Sequence, residues 1–185
     1  MNRRVAKTHA HVRASAAMPL DDHFATLDLT EPLHPRTREL LDSLEATLDR
    51  VRPTRLDRAH SSIAPVATGL SLELAHRDDD GLSLGMGAFG AEVVVNYGEE
   101  HLHFDTERGR VEPSAETAPA EPVAFLEALL TGRIQLHTTH RLFWLSTRSF
   151  RLDDAGELQP FFSSGTLIPT FKWTAQPIVR TFDFR

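Results

Sequence analysis

From Leu70 to Asp105 the chain reads LSLELAHRDDDGLSLGMGAFGAEVVVNYGEEHLHFD. Leu70, Leu72 and Leu74 alternate with Ser71 and Glu73, Val93 to Val95 is β-branched, and His101, His103 and Asp105 alternate with Leu102 and Phe104. Successive side chains of a strand point to opposite faces, so period-two patterning over short runs means half-buried strands. DDDG at 78–81 and NYGEE at 96–100 separate the runs with turn chemistry, because Gly accepts positive φ and Asp or Asn can bond its own backbone. Together these signals predict an antiparallel meander with one wet face. The rest of the chain must cover the other face.

Two segments suit that task. Pro35 fits a first helical turn, and Leu40, Leu41, Leu44, Leu48 and Val51 fall on one face before Pro53 stops the run. Pro122 opens a shorter helix through Leu130, with Gly132 placed to end it. Pro19 to Pro35 reads as irregular chain pinned by Phe24, Leu27 and Leu29, and Thr54 to Gly69 as a connection. GLSLGMGAFG at 81–90 lacks the Lys-Ser/Thr ending of a phosphate loop and reads as a twisted or bulged strand. Residues 107–120 read as a long exposed loop. Strands resume at 134–138, 142–152, 157–163, 171–175 and 178–184, with a hairpin turn at DDAG, 153–156. The expected architecture is α+β: two helices packed on an extensive, curved, mainly antiparallel β-sheet, in the order helix, meander, helix, second meander. Residues 1–18 are expected to be a flexible basic N-terminal arm and residues 19–185 a single α+β domain.

Composition narrows the function classes. A body of this length can bury about 70% of its unfolded surface, and 41% hydrophobic against 25% charged residues excludes disorder throughout. The absence of cysteine removes disulfide scaffolds, thiol catalysis and thiolate zinc sites, and fits a reducing cytoplasm. No apolar run approaches the roughly 20 residues of a spanning helix, so no membrane partner is expected. Lys7, His9, His11 and Arg13 interrupt any secretory h-region at the N-terminus. Charge is unevenly spread: residues 61–132 hold thirteen acids against three Arg, whereas residues 133–185 hold seven bases against four acids. The acidic middle argues against nucleic acid and points to a basic protein partner. Asp78, Asp79, Asp80, Glu99 and Glu100 are the expected contact residues, since turn tips project and bury no core. A homo-oligomer is compatible with the same composition.

Three constellations bear on chemistry. His101 and His103 share one strand face and can share a metal ion, with Asp105 next on that face and Glu107 just beyond. HLHFDTE resembles the first half of the cupin signature, and the resemblance implies a small metal-dependent β-barrel enzyme using His101, His103 and Glu107 on a divalent metal. The second cupin motif is not recognisable, and an ordinary polar strand face accounts for the same residues. Ser146, Ser149, Ser163 and Ser164 invite a hydrolase reading, but none sits in a G-x-S-x-G elbow. Phe143, Trp144, Phe150 and Phe161 mixed with Arg141, Arg148 and Arg151 form a combination that can stack and neutralise single-stranded nucleic acid. Alternation explains it more simply, with Phe143 and Leu145 facing a core and Trp144, Ser146 and Arg148 facing outward. An exposed Trp144 makes that outward face a binding surface. With no complete catalytic signature, the expectation is a non-catalytic protein-binding module, immunity-like or chaperone-like, without a cofactor. The metal-dependent enzyme is the alternative.

Overall fold

Helix α1, Pro35–Val51, carries Leu40, Leu41, Leu44 and Leu48 on its buried side. It ends at Arg52, which adopts a left-handed conformation and returns its N–H to the Leu48 carbonyl. Pro53 follows and prevents continuation. In this computed structural model the described residues are 20, 23–24, 26–27, 33–66, 69–105, 109–110, 119 and 121–185. The expected N-terminal arm and most of the expected 107–120 loop, Glu107 included, lie outside them.

Seven strands form the first sheet in simple sequence order: β1 Thr26–Leu27, β2 Ser62–Val66, β3 Gly69–Leu74, β4 Leu84–Phe89, β5 Glu92–Tyr97, β6 Glu100–Asp105 and β7 Gly109–Arg110. All neighbours are antiparallel except β1, which lies parallel to β2. Leu70, Leu72, Leu74, Leu84, Met86, Val93, Val95, Leu102 and Phe104 are buried on one face, as the period-two pattern requires. The Gly-rich segment is β4. DDDG forms a short 3₁₀ turn, Asp80–Leu82, in which Asp79 Oδ1 accepts from the Gly81 N–H at 2.8 Å. Between β5 and β6 the turn has only two central residues, Gly98 and Glu99, with φ +59° at Gly98. Gly at that first position suits the twist of an antiparallel hairpin. A side chain there would also meet Leu136 Cδ2 at 2.8 Å, so the turn abuts the second sheet.

Helix α2, Pro122–Leu130, leads without a loop into β8, Thr131–Leu152; β9, Leu158–Trp173, and β10, Ile178–Asp183, complete a three-stranded sheet. Both β9 and β10 run antiparallel to β8, taking up successive stretches of it: β10 pairs with residues 131–138 and β9 with residues 141–152. Phe125, Leu126 and Leu129 of α2, Ile134 and Leu136 of β8, and Phe182 join the buried face of the meander in one core. Tyr97 sits at its centre, edge-on to Phe125 at 5.3 Å and to Phe182 at 5.9 Å between ring centroids. Each such fully buried large apolar side chain contributes about 1.5–3 kcal/mol. Arg50 and Glu127 tie the helices together, with Nη2 and Oε2 2.6 Å apart. The α+β architecture with two helices on mainly antiparallel sheets is as the sequence implies. Among the described residues no helix is long and apolar enough to cross a membrane.

Candidate functional site at the bend of β8

Before residue 140, β8 buries its even-numbered positions, Ile134, Leu136 and Thr138; after residue 145 it buries Thr147 and Ser149. A regular strand cannot change sides. The irregularity is Leu142, at φ +56°, a left-handed conformation that an ordinary L residue rarely adopts. The register breaks at the same place, since β8 advances two positions from Leu142 to Trp144 while β9 advances five, from Leu167 to Lys172. The extra residues lie on the returning chain, which therefore follows the longer path around a bend.

Two contacts show how sharp the bend is. The rings of His137 and Phe150 lie 4.4 Å apart, although a straight strand would separate them by roughly 40 Å. Thr138 reaches Glu99 and Thr147 donates to Glu100, so both limbs meet the same β5–β6 hairpin. Because the phase switches at the bend, His137, Thr139 and Arg141 of the first limb face the same way as Trp144, Ser146, Arg148 and Phe150 of the second. With Pro177 they line a cleft of about 420 Å³.

This cleft joins two guanidinium groups, an imidazole, an indole, a phenyl ring and two hydroxyls, with no carboxylate among its lining residues. Arg133, Arg180 and Arg185 are each paired, to Asp154 at 2.6 Å, Glu99 at 2.5 Å and Asp183 at 2.9 Å. Arg141 and Arg148 have no such partner among the described residues. Burial lowers the His137 pKa below the ordinary imidazole value, which favours the neutral ring. Gly165 is the flat seat of the Trp144 indole: a Cβ there would come within 2.6 Å of Cζ2. At the bend, Leu142, Phe143, Trp144, Leu167, Phe171 and Trp173 are all exposed, with Phe143 and Phe171 in edge-on contact at 6.1 Å.

The sequence-predicted residues fall out differently from one another. Trp144 is 46% exposed and lines the cleft. Phe143, expected to face a core, is 53% exposed, next to the left-handed Leu142 where the strand changes its buried side. Asp78, Asp79 and Asp80 are exposed at their turn. Glu99 does not reach out freely: both its carboxylate oxygens accept from Arg180 Nη1, at 2.5 and 2.6 Å. Glu100 does not project at all. The turn consumes only Gly98 and Glu99, so Glu100 is a strand residue on the side of Leu102 and Phe104, 6% exposed. There its carboxylate accepts from Thr147 and Ser164, and burial pushes its pKa up, with the Ser164 bond opposing. Ser149 is likewise buried, 3.0 Å from the Tyr97 hydroxyl.

His101 and His103 stand on the outer face of an open meander, not inside a closed barrel, and this departs from what the cupin resemblance implies. Their rings contact edge-on at 5.1 Å, and His103 Nδ1 lies 2.5 Å from Glu92 Oε1. Among the described residues no three His, Asp or Glu come together as a metal-ligating group. Sequence reasoning named Trp144, Arg141, Arg148 and Phe150 but missed His137, Thr139 and Pro177 as their neighbours. The change of buried phase between Ile134–Leu136 and Thr147–Ser149 that brings them together is not visible in the sequence, because Thr147 and Ser149 are polar. Comparisons with protein-family models, curated proteins and solved structures find no match.

Proposed function

We propose that the chain is a non-catalytic protein-binding module that meets its partner through the bend of β8 and β9. The observation that carries this reading is the exposure of Leu142, Phe143, Trp144, Leu167, Phe171 and Trp173 on the paired stretches of β8 and β9 at the bend, where Trp144 also lines the cleft. Contiguous apolar surface rimmed by polar groups marks interaction sites, and Trp and Arg dominate the energetics of such contacts. An immunity-like or chaperone-like role, holding one protein client, fits this surface. The acidic-surface reading keeps one supporting observation, the exposed Asp78–Asp80 turn; Glu99, paired to Arg180, and Glu100, buried, no longer support it.

The test uses the full chain as an immobilised bait beside a Trp144→Ala/Trp173→Ala variant with matching circular dichroism. A partner retained by the parent and reduced at least tenfold on the variant is the expected result. Equal retention by both baits, or loss only on neutralising Asp78, Asp79 and Asp80 to Asn, would move the contact elsewhere.

A further inference from the structure

We propose that the bend cleft is an oxyanion-and-ring site that receives an acidic, aromatic-bearing segment of the protein partner. This rests on the protein-binding reading and gives the partner its chemistry, opposite in sign to what the acidic middle of the chain suggests. From Thr139 to Leu152 and from Leu158 to Ile178 the chain carries Arg141, Arg148, Arg151 and Lys172 and not one Asp or Glu. In a protein of net charge −6 that is a strong local exception. Arg141 and Arg148 approach the cleft from opposite limbs of β8, and neither has a carboxylate partner within the described chain. A guanidinium presents a planar fork of donors that matches a carboxylate, so two unpaired forks facing one space favour an anionic side chain.

Trp144 and Phe150 supply flat apolar walls, and the His137 ring, packed on Phe150, extends them. Ser146 and Thr139 add hydroxyls for a carboxylate oxygen or a peptide carbonyl. A cleft of about 420 Å³ takes one or two side chains rather than a folded surface. The surroundings choose between anion sources. A nucleic-acid track needs a run of Lys and Arg to follow phosphates, whereas the cleft holds two Arg beside Trp144, Phe150 and Pro177, and Lys172 is the only lysine beyond the N-terminal arm. Aromatic walls and two guanidinium groups in one cleft together fit a peptide in which a carboxylate stands beside an aromatic ring.

The chain has two Trp, so a Trp173→Phe variant leaves Trp144 as its sole indole and makes fluorescence report on the cleft. This variant is titrated with the blocked peptide acetyl-Glu-Phe-Glu-Phe-amide, with its Gln-Phe-Gln-Phe counterpart and with adenosine monophosphate. The expected result is a saturable change with the acidic peptide, at least tenfold weaker with the Gln peptide, and weakened by salt. Adding Arg141→Gln and Arg148→Gln should lower the acidic-peptide affinity at least tenfold, and Arg148→Gln alone at least threefold. No saturable response, equal binding of the Gln peptide, or tighter binding of adenosine monophosphate would overturn the proposal. The bait experiment fails or succeeds separately. A partner lost on Trp144→Ala/Trp173→Ala with no acidic-peptide response leaves docking intact and removes the anion chemistry, and the reverse pattern removes docking alone.

Discussion

Replacing Leu142 by Gly and by Ala separates the backbone of the bend from its side chain. Leu142 is 51% exposed, so both truncations forfeit the same modest apolar contact, and that loss cancels in the comparison. In a regular strand Gly is less stable than Ala by about 0.5–1 kcal/mol, because it loses more conformational freedom on folding. At φ +56° the order inverts. A left-handed conformation costs an L residue about 1–2 kcal/mol that Gly does not incur, and this exceeds the entropy term. Leu142→Gly should therefore be about 1 kcal/mol more stable than Leu142→Ala, a difference of roughly 2–4 °C in Tm for a chain of this size. The same pair at Leu145, where φ is negative, should show the ordinary order. Urea unfolding with unchanged slope measures both differences. If Ala is equal to or more stable than Gly at 142, the backbone there is extended, the phase switch lies elsewhere, and the cleft cannot have the lining described.

Two further outcomes concern the buried polar groups beneath the bend. Tyr97→Phe keeps the ring against Phe125 and Phe182 but strands the Ser149 hydroxyl, and Ser149→Ala removes the same bond from the other side. Each should cost about 1–2 kcal/mol and the double variant little more than either, a coupling of about 1 kcal/mol by denaturant unfolding; strictly additive losses would show that the hydroxyls do not interact. Glu100→Gln keeps an accepting oxygen for Thr147 and Ser164 without the charge. Because burial holds the Glu100 pKa above its ordinary value of 4.5, the protonated form's contribution is fully present below that pH and lost as pH rises through the folded-state pKa. The variant should match the parent near pH 4 and be the more stable at pH 7 to 8. A gap that is the same at both pH values would contradict the burial of this carboxylate.

Elements set by local chemistry were legible. The two Pro residues that open α1 and α2 and the leucine stripe of α1 need only neighbours within a few positions, and the β3–β6 alternation needs only one buried face. Elements set by pairing were not. β2 was read as part of a connection because it contains Pro65, yet it is held by β3 on one side and briefly by β1 on the other. β8 was read as two strands separated by Thr139, His140 and Arg141, and β9 as two separated by Gly165 and Pro169. Strand continuity depends on backbone hydrogen bonds, to which side-chain polarity is indifferent. Pro169 is tolerated because it falls among the extra residues of β9, where no ladder donor is required.

The same distinction runs through the site. Glu100 shares parity with Leu102 and Phe104, so its burial follows from the alternation once the turn is known to have two residues; the expectation that acidic turn residues project overrode a pattern already present. The bend offers no comparable signal, because Leu is a poor choice for a left-handed backbone and nothing local advertises it. Tertiary structure imposes that conformation: one limb of β8 is held at Thr138 and the other at Thr147 by adjacent carboxylates, and the chain between them must turn. Strained positions of this kind persist where the surroundings over-determine them, and they concentrate at sites of function. Here the strained Leu142, the exposed Trp144, and Arg141 and Arg148, which have no carboxylate partner among the described residues, lie within residues 141–148. A bend that stabilised only the fold would be easier with Gly at 142 and with polar residues at 143, 144 and 171. That the chain instead places large apolar groups around a disfavoured backbone is the strongest physical argument for reading the bend as a contact surface.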